Sequence, residues 1–511
     1  MYGRVVGVSV VGVRGQPVWV EAHVGRGLPS LTLTGLPGAA VSDARDRIRP
    51  AVESAGFEWP LRRVVVNLSP GNLRKEGPGL DLPVAMGVLA ATRQVPSSAL
   101  EGWAFAGELS LRGTLVSTPA ILSVSIAAMR HGLRGVVVPE PNGAEAGLVE
   151  GVEVVAAPTL RDVVGFFRGT WRPSPVPAAS GTDDGRHGVD LSEIRGQARA
   201  RRALEVAAAG GHNLLLVGSP GAGKTMLARR LATILPKMSR AEALEVTQLH
   251  SVAGLLERGG LVTERPFRSP HHTVSIAALL GGGSTYLRPG EVSLAHNGVL
   301  FLDEFTEFRR DAAEGLRQPL EDGRVVITRA IGSVEFPARF TLVAAANPCP
   351  CGFHGDPARR CICQDHRIES YRSKLSGPLL DRVDIRLDVP RLTKRELLGE
   401  SAGEPSAAVR ERVELARARQ RARYAGSGYH CNAQLPGPVA RREVKIAPPA
   451  QSLLADAVDR HLLSGRGFDR VLKVARTIAD LADREPIEPD HVVEALAYRA
   501  TDPGTRSVGA A

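Results

Sequence analysis

No apolar run in the chain reaches the roughly eighteen residues that a membrane-spanning helix requires, so no transmembrane segment is expected. The opening stretch Met1 to Val13 lacks the charged n-region, apolar h-region and small-residue cleavage site of a secretory signal. It alternates Gly and Val around one Arg, which predicts a first strand and a cytoplasmic protein. No fixed-period repeat is present, and cysteine is scarce. Of five cysteines, Cys349, Cys351, Cys361 and Cys363 fall close together while Cys431 stands apart. Clustered thiols in a chain with no secretory signal point to metal before disulfide.

What is there is ordinary for a soluble globular protein: 43% hydrophobic and 23% charged residues. A chain of 511 residues is too long for one compact core, so two or three domains are expected. The net charge of +10 permits a polyanionic partner without requiring one.

Arg172 to Gly188 is rich in Pro, Ser, Gly and Asp, has no apolar period and reads as an interdomain linker. Before it, strand and helix signals mix: strands at Arg4–Val11, Val18–His23, Leu31–Thr34, Arg63–Leu68, Trp103–Leu109 and Gly135–Val138, helices at Asp43–Ser54, Leu82–Ala91 and Ile121–His131. After it, apolar strands at Asn213–Val217, Gly298–Leu302 and Thr341–Ala345 alternate with helices, the pattern of a parallel α/β sheet. From about Leu392 the periodicity turns helical, at Ser406–Tyr424, Gln451–Leu463, Arg470–Asp483 and Pro489–Arg499. The organisation read from the sequence is therefore residues 1–168, a linker at 169–189, an α/β core at 190–390 and a helical domain at 391–511.

Gly218-Ser219-Pro220-Gly221-Ala222-Gly223-Lys224-Thr225 follows an apolar strand and opens a helix. Glycines let backbone N–H groups close around phosphate oxygens, and the helix N-terminus adds partial positive charge. In that setting Lys224 reaches the β/γ phosphates of ATP and the Thr225 hydroxyl ligates Mg²⁺. The strand GVLFL ends in Asp303-Glu304, with Asp303 suited to the magnesium shell and Glu304 to polarising the attacking water. Asn347 ends the next strand. It either orients that water or closes a turn before Pro348. Arg382 follows an apolar step and reads either as an arginine finger for a neighbouring subunit or as a surface ion pair with Asp381 or Asp384. Arg466 could be a lid arginine, with Arg470 as the alternative.

The cysteines form C-x-C-x9-C-x-C between Asn347 and Arg382. Four thiolates suit tetrahedral Zn²⁺, although C-x-C departs from the usual C-x-x-C. His354 and His366 could replace a cysteine ligand, and buried or redox-active thiols are the competing reading. Leu249–Gly283 carries Arg258, Arg265, Arg268, His271 and His272. Arg324–Phe336 reads as a hairpin with Arg329 near its tip. Arg268, His271, His272 and Arg329 are candidate DNA contacts, against a structural histidine pair and a solvated turn arginine. Arg417, Arg419, Arg421 and Arg423 read as a solvated helix face.

Residues 190–500 resemble the magnesium-chelatase-like branch of the AAA+ ATPases. GGHNLLLVGSPGAGKTMLARRL, RPFRSPHHTVS, RPGEVSLAHNGVLFLDEF, LRQPLEDG, PARFTLVAAANPCPCG and LSGPLLDRVD together resemble its ComM/YifB group. One departure is Ser219, where that group's loop usually has Pro. The resemblance implies a P-loop NTPase core with a helical lid, in a ring of six subunits with ATP between them. It also implies branch migration of DNA in recombination and natural transformation. A protein-remodelling ATPase, like the chelatase motor subunit, is the alternative.

Residues 1–168 resemble a Lon-protease-like α+β domain (ribosomal S5 domain 2-like), through KEGPGLDLPVAMGVLAA, FAGELSLRGTL and GLRGVVVPEPN. Such proteases carry a Ser-Lys dyad with the serine just after Gly-Pro. Here Gly79 stands there, and no lysine occurs from Glu76 to Gly223. The resemblance therefore implies a proteolytically inactive domain serving assembly or DNA contact.

Overall fold

The computed structural model describes residues 1–75, 78–175, 188–256, 260–283, 287–329, 332–374, 379–393, 396, 403–460 and 463–499. Two sheets organise it, and they differ in how their strands are buried. The first has seven strands, in the order Ser30–Thr34, Arg63–Ser69, Arg14–Gly25, Tyr2–Val11, Trp103–Phe105, Gly135–Pro139, Glu153–Ala157. Its long hairpin pairs Val5 with Val20 and Val11 with Arg14. In Arg14–Gly25 the residues Val18, Val20, Ala22 and Val24 are buried while Trp19 and His23 face outward, the alternation of a strand covered on one side, whereas Trp103–Phe105 and Gly135–Pro139 in the same sheet are buried throughout. The helix Asp81–Ala91 is buried at every residue and packs on the Val20–Ala22 face. It lies so close that a Cβ on Gly3 would fall 2.5 Å from the Ala91 nitrogen.

The second sheet is wholly parallel, in the order Phe267–Arg268, Val299–Leu302, Thr341–Ala346, Leu214–Val217, Ile385–Asp388. Val299–Leu302 and Thr341–Ala346 are buried throughout, because helices and loops cover both faces of the sheet. One face packs on the helices Ala198–Gly210 and Lys224–Ile234 and on the C-terminal helices, in a single apolar core. The other packs on the Arg324–Arg329/Gly332–Pro337 hairpin and the segments around Leu279 and Phe305.

The chain is thus α/β with a parallel-sheet core and a helical C-terminal region. The strand Glu153–Ala157, the helix Leu160–Arg168 and the two-residue strand Phe267–Arg268 add to what the sequence pattern gave. Trp103–Leu109 divides into two strands at Ala106-Gly107. Most of the expected linker, residues 176–187, lies outside the described residues, as do Arg258, residues 330–331 at the hairpin tip and the Arg329 side chain. Among the described residues, no helix is long and apolar enough to cross a membrane.

The solvated-face reading of the Ser406–Arg423 helix is overturned. Arg417 donates to the Ala208 carbonyl at 3.0 Å, and Arg423 donates to both carboxylate oxygens of Asp480, which is fully buried. Arg419 donates to the Asp480 carbonyl at 2.7 Å. Three of the four arginines therefore fasten the helix to its neighbours.

The N-terminal sheet domain seats on the helix Arg240–Ala253. Gln248 donates to the Val13 carbonyl at 2.5 Å and to Ser123 Oγ at 3.0 Å, and Ser251 donates to the buried Glu145. Leu122, Leu148 and Val149 pack there against Leu244 and Leu261.

Candidate nucleotide-binding site

The strand Leu214–Val217 delivers the chain into a loop that only glycine can make. Gly221 and Gly223 take φ of +78° and +92°, the left-handed region, and the helix Lys224–Ile234 starts immediately after. At Gly218 a Cβ would lie 2.4 Å from the Val389 carbonyl, so the loop base must also be glycine. The loop is fixed from behind by Gln197, which donates to the Ala222 carbonyl at 2.9 Å and the Pro390 carbonyl at 3.4 Å.

Neighbouring strands bring the acids and the amide to the same cleft. It measures about 450 Å³ and is lined by Pro220–Met226, Asp303, Glu304 and Ala345–Asn347. Thr225 donates to Asp303 Oδ2 at 2.8 Å. Lys224 Nζ donates to the Gly218 and Ser219 carbonyls, at 2.6 and 3.1 Å, and to Asn347 Oδ1 at 3.1 Å. Burial pushes the Lys224 ammonium below its ordinary range, and Asp303 and Glu304 oppose that. A polyphosphate entering the cleft would supply the same counter-charge at shorter range. Thr225 and Asp303 present two hard oxygens to one point, the donor chemistry that suits Mg²⁺. Glu304 adopts φ +49°, in the left-handed region, and about half of its side chain is exposed.

Sequence reading placed His271 and His272 among DNA contacts. In the structure their rings stack at 4.1 Å, His271 Nδ1 pairs with Thr273 Oγ1 at 2.9 Å, and His272 Nδ1 stands 3.5 Å from Glu304 Oε2. Arg268 is held by Glu291 through two contacts of 2.6 Å.

Arg382 and Arg466 are absent from the lining of this cleft. Arg382 pairs with Glu321, and burial together with Arg466, Arg317 and Arg470 pushes its guanidinium down. Arg466 reaches Asp381 at 3.1 Å. The two arginines thus share one face. Arg470 is largely buried beside Asp384, at 3.8 Å, which leaves Arg466 as the more exposed of the two alternatives for the lid role.

Cys349, Cys351, Cys361 and Cys363 come together with all four sulfurs within 4.8 Å of one another. Cys349–Cys351, Cys351–Cys361 and Cys349–Cys361 stand at 3.4, 3.6 and 3.7 Å. Those separations exceed the ~2.05 Å of a disulfide and approach the ~3.8 Å edge of a tetrahedron built on Zn–S bonds of ~2.3 Å. Backbone N–H groups of Ile362 and Phe353 draw the Cys351 thiol down to about 6, while Cys361 is pushed up to about 12. Burial, and then the neighbouring Cys351 and Cys349, push Cys361 and Cys363 up, a crowding that a bound divalent cation would relieve.

In the N-terminal domain, Gly79 lies in the short turn Pro78–Leu80, and a Cβ there would meet nothing within 4 Å. Lys75 is buried, with its ammonium donating to the Gly35 carbonyl at 2.8 Å and to the Pro70 carbonyl.

Sequence reading did not find Gln197 or Arg391, each of which donates to a phosphate-loop carbonyl from a segment distant in the chain. No local spacing marks them.

Profiles of the magnesium chelatase subunit ChlI match residues 190–397, 20–142 and, for its C-terminal part, 403–499. The chain is 46% identical to an uncharacterised protein of Mycobacterium tuberculosis, covering 98% of this chain and 99% of that one. It is 43% identical to competence protein ComM of Haemophilus influenzae, covering 96% of each, and 42% identical to YifB of Escherichia coli, covering 97% and 96%. A local match of 28% identity joins 35% of this chain to 23% of Lon protease from Geobacter metallireducens.

Proposed function

This chain belongs to the magnesium-chelatase-like AAA+ family that includes ComM and YifB, and from that premise we propose that it is an ATP-driven DNA motor. It works as a hexameric ring and acts by branch migration or helicase movement in homologous recombination or natural transformation. The observation that carries the reading is the convergence of Lys224, Thr225, Asp303, Glu304 and Asn347 on one cleft, in a chain related to a competence protein over nearly its full length.

The roles follow from the chemistry of each group. The glycine-loop N–H groups and Lys224 hold the β/γ phosphates. Thr225 and Asp303 hold Mg²⁺, which neutralises charge on the phosphates. Glu304 accepts a proton from the attacking water, and Asn347, already bonded to Lys224, orients it. Arg382 and Arg466 sit away from their own subunit's cleft and serve the neighbour's nucleotide across a ring interface, which makes the active site depend on assembly.

Cys349, Cys351, Cys361 and Cys363 hold a structural Zn²⁺. Residues 1–168 form a domain that lacks protease chemistry: Gly79 has no hydroxyl, and Lys75 is occupied by backbone carbonyls. Residues 190–390 are the motor and 391–511 the lid, in the cytoplasm. DNA is engaged from the side of the His271–His272 segment and the Arg324–Pro337 hairpin, with affinity that falls as salt rises.

The test is the ATPase rate of the purified protein at low salt, with and without single-stranded DNA and a synthetic four-way junction, together with strand exchange on that junction. Stimulation and exchange support the reading. ATP turnover that ignores both DNAs moves the protein to the other branch of its family, a remodelling ATPase acting on a protein partner.

A further inference from the structure

We propose that Asp356 is a positioning residue of the phosphate loop, carried by the four-cysteine loop, so that metal occupancy of the cysteines sets how tightly nucleotide is gripped. The proposal rests on the nucleotide and zinc readings above.

The cysteine loop begins two residues after Asn347 and folds back over the outside of the phosphate loop. Gly352 is pressed against it: a Cβ there would fall 2.6 Å from Pro220 Cδ. Asp356 is the polar centre of the contact, with its side chain only 1% exposed. Its Oδ1 accepts from the Ala358 and Arg359 N–H groups, at 2.9 and 3.1 Å, and its Oδ2 lies 3.1 Å from Arg391 Nε. The Ser219 hydroxyl, followed by those backbone groups and Arg391, holds the carboxyl below the usual carboxylate range.

The circuit closes on the phosphate loop a second time. Arg391 donates to the Pro220 carbonyl at 3.3 Å, and the guanidiniums of Arg391 and Arg359 both lie over the Phe353 ring. Pro220 is therefore tied to Arg391 and, through it, to Asp356.

Between Cys351 and Asp365 the loop has no regular structure, and most of its residues are exposed. Its order depends on the cysteine cluster and on these contacts. A loop of that kind gains its shape from its metal, so losing the metal would release Asp356 and leave the phosphate loop less preorganised for its anion.

The experiment uses the full-length protein in Mg²⁺ buffer. Bound metal is measured by mass spectrometry, and nucleotide affinity is measured with a fluorescent ATP analogue. The variants are Asp356→Ala and the milder Ser219→Ala. Metal is stripped with a mercurial, and the thiols are then re-reduced. Both variants should keep their metal and weaken nucleotide binding about tenfold, the scale of one hydrogen bond to a charged group. KM should rise while kcat holds. Stripping should weaken wild type by a similar factor and add little in Asp356→Ala.

Unchanged affinity in both variants overturns the positioning role. Equal weakening of wild type and Asp356→Ala on stripping overturns the coupling to metal. Protein that purifies without metal overturns the zinc reading and the coupling together, while the variants' affinities still decide the role of Asp356. Lys224→Ala, run alongside, reports separately on the nucleotide site.

Discussion

His272 Nδ1 stands 3.5 Å from Glu304 Oε2. The histidine belongs to the segment that follows the edge strand Phe267–Arg268, and the glutamate is the residue assigned to polarise water. A contact between them lets a movement of that segment reach the catalytic base. His272→Ala should therefore free Glu304 and raise DNA-independent ATP turnover by roughly fivefold at most, the scale of a half-exposed pair. Stimulation by DNA should shrink correspondingly. Turnover unchanged with and without DNA contradicts the link.

Glu304→Gln removes only the proton acceptor. Nucleotide affinity and assembly should persist while turnover falls by about a hundredfold or more. Single-turnover phosphate release and an analogue-binding titration on the same variant separate the two effects. Retained turnover contradicts the assigned role.

The convergence of the candidate nucleotide-site residues was legible because its signals are local. Gly221 and Gly223 mark a loop that needs positive φ, and two apolar strands end in Asp303-Glu304 and Asn347. What was not legible depends on partners far apart in the chain. Arg423 looked solvated because nothing within its own helix announces Asp480, buried 57 residues away. The approach of His272 to Glu304 is likewise made by the fold alone. Phe267–Arg268 is too short to carry a period, and only its register against Val299 and Leu300 makes it a strand. The cysteine cluster lay between these cases: the spacing gave the four residues, and folding brought the sulfurs together.

Purified protein should carry about one zinc per chain, as four converging thiolates require. Cys361→Ser should lower the zinc content and the thermal midpoint together, measured by mass spectrometry and by calorimetry. A metal-free protein of undiminished stability contradicts this prediction.

Asp81 supplies a pH signature for the N-terminal domain. Burial pushes its carboxyl up from 3.8 to about 6, against the pull of Arg47 at 3.1 Å and of the Leu109 N–H at 3.2 Å. The folded state therefore holds the proton more tightly than the unfolded chain. That contribution is complete below pH 3.8, and it is lost as pH rises through about 6. Relative to Asp81→Asn, wild type should lose roughly 3 kcal/mol of stability across that window. Denaturant titrations of both proteins at several pH values check the slope, and a difference that grows in the opposite direction contradicts it.

The account turns on the phosphate loop, where Lys224 bridges the Gly218 carbonyl and Asn347. The most direct measurement is ATP affinity and phosphate release for Lys224→Ala against wild type. Removing the ammonium should weaken nucleotide binding by at least about tenfold and reduce phosphate release to background. A variant that binds and hydrolyses ATP like wild type would contradict the nucleotide site and the DNA motor built on it.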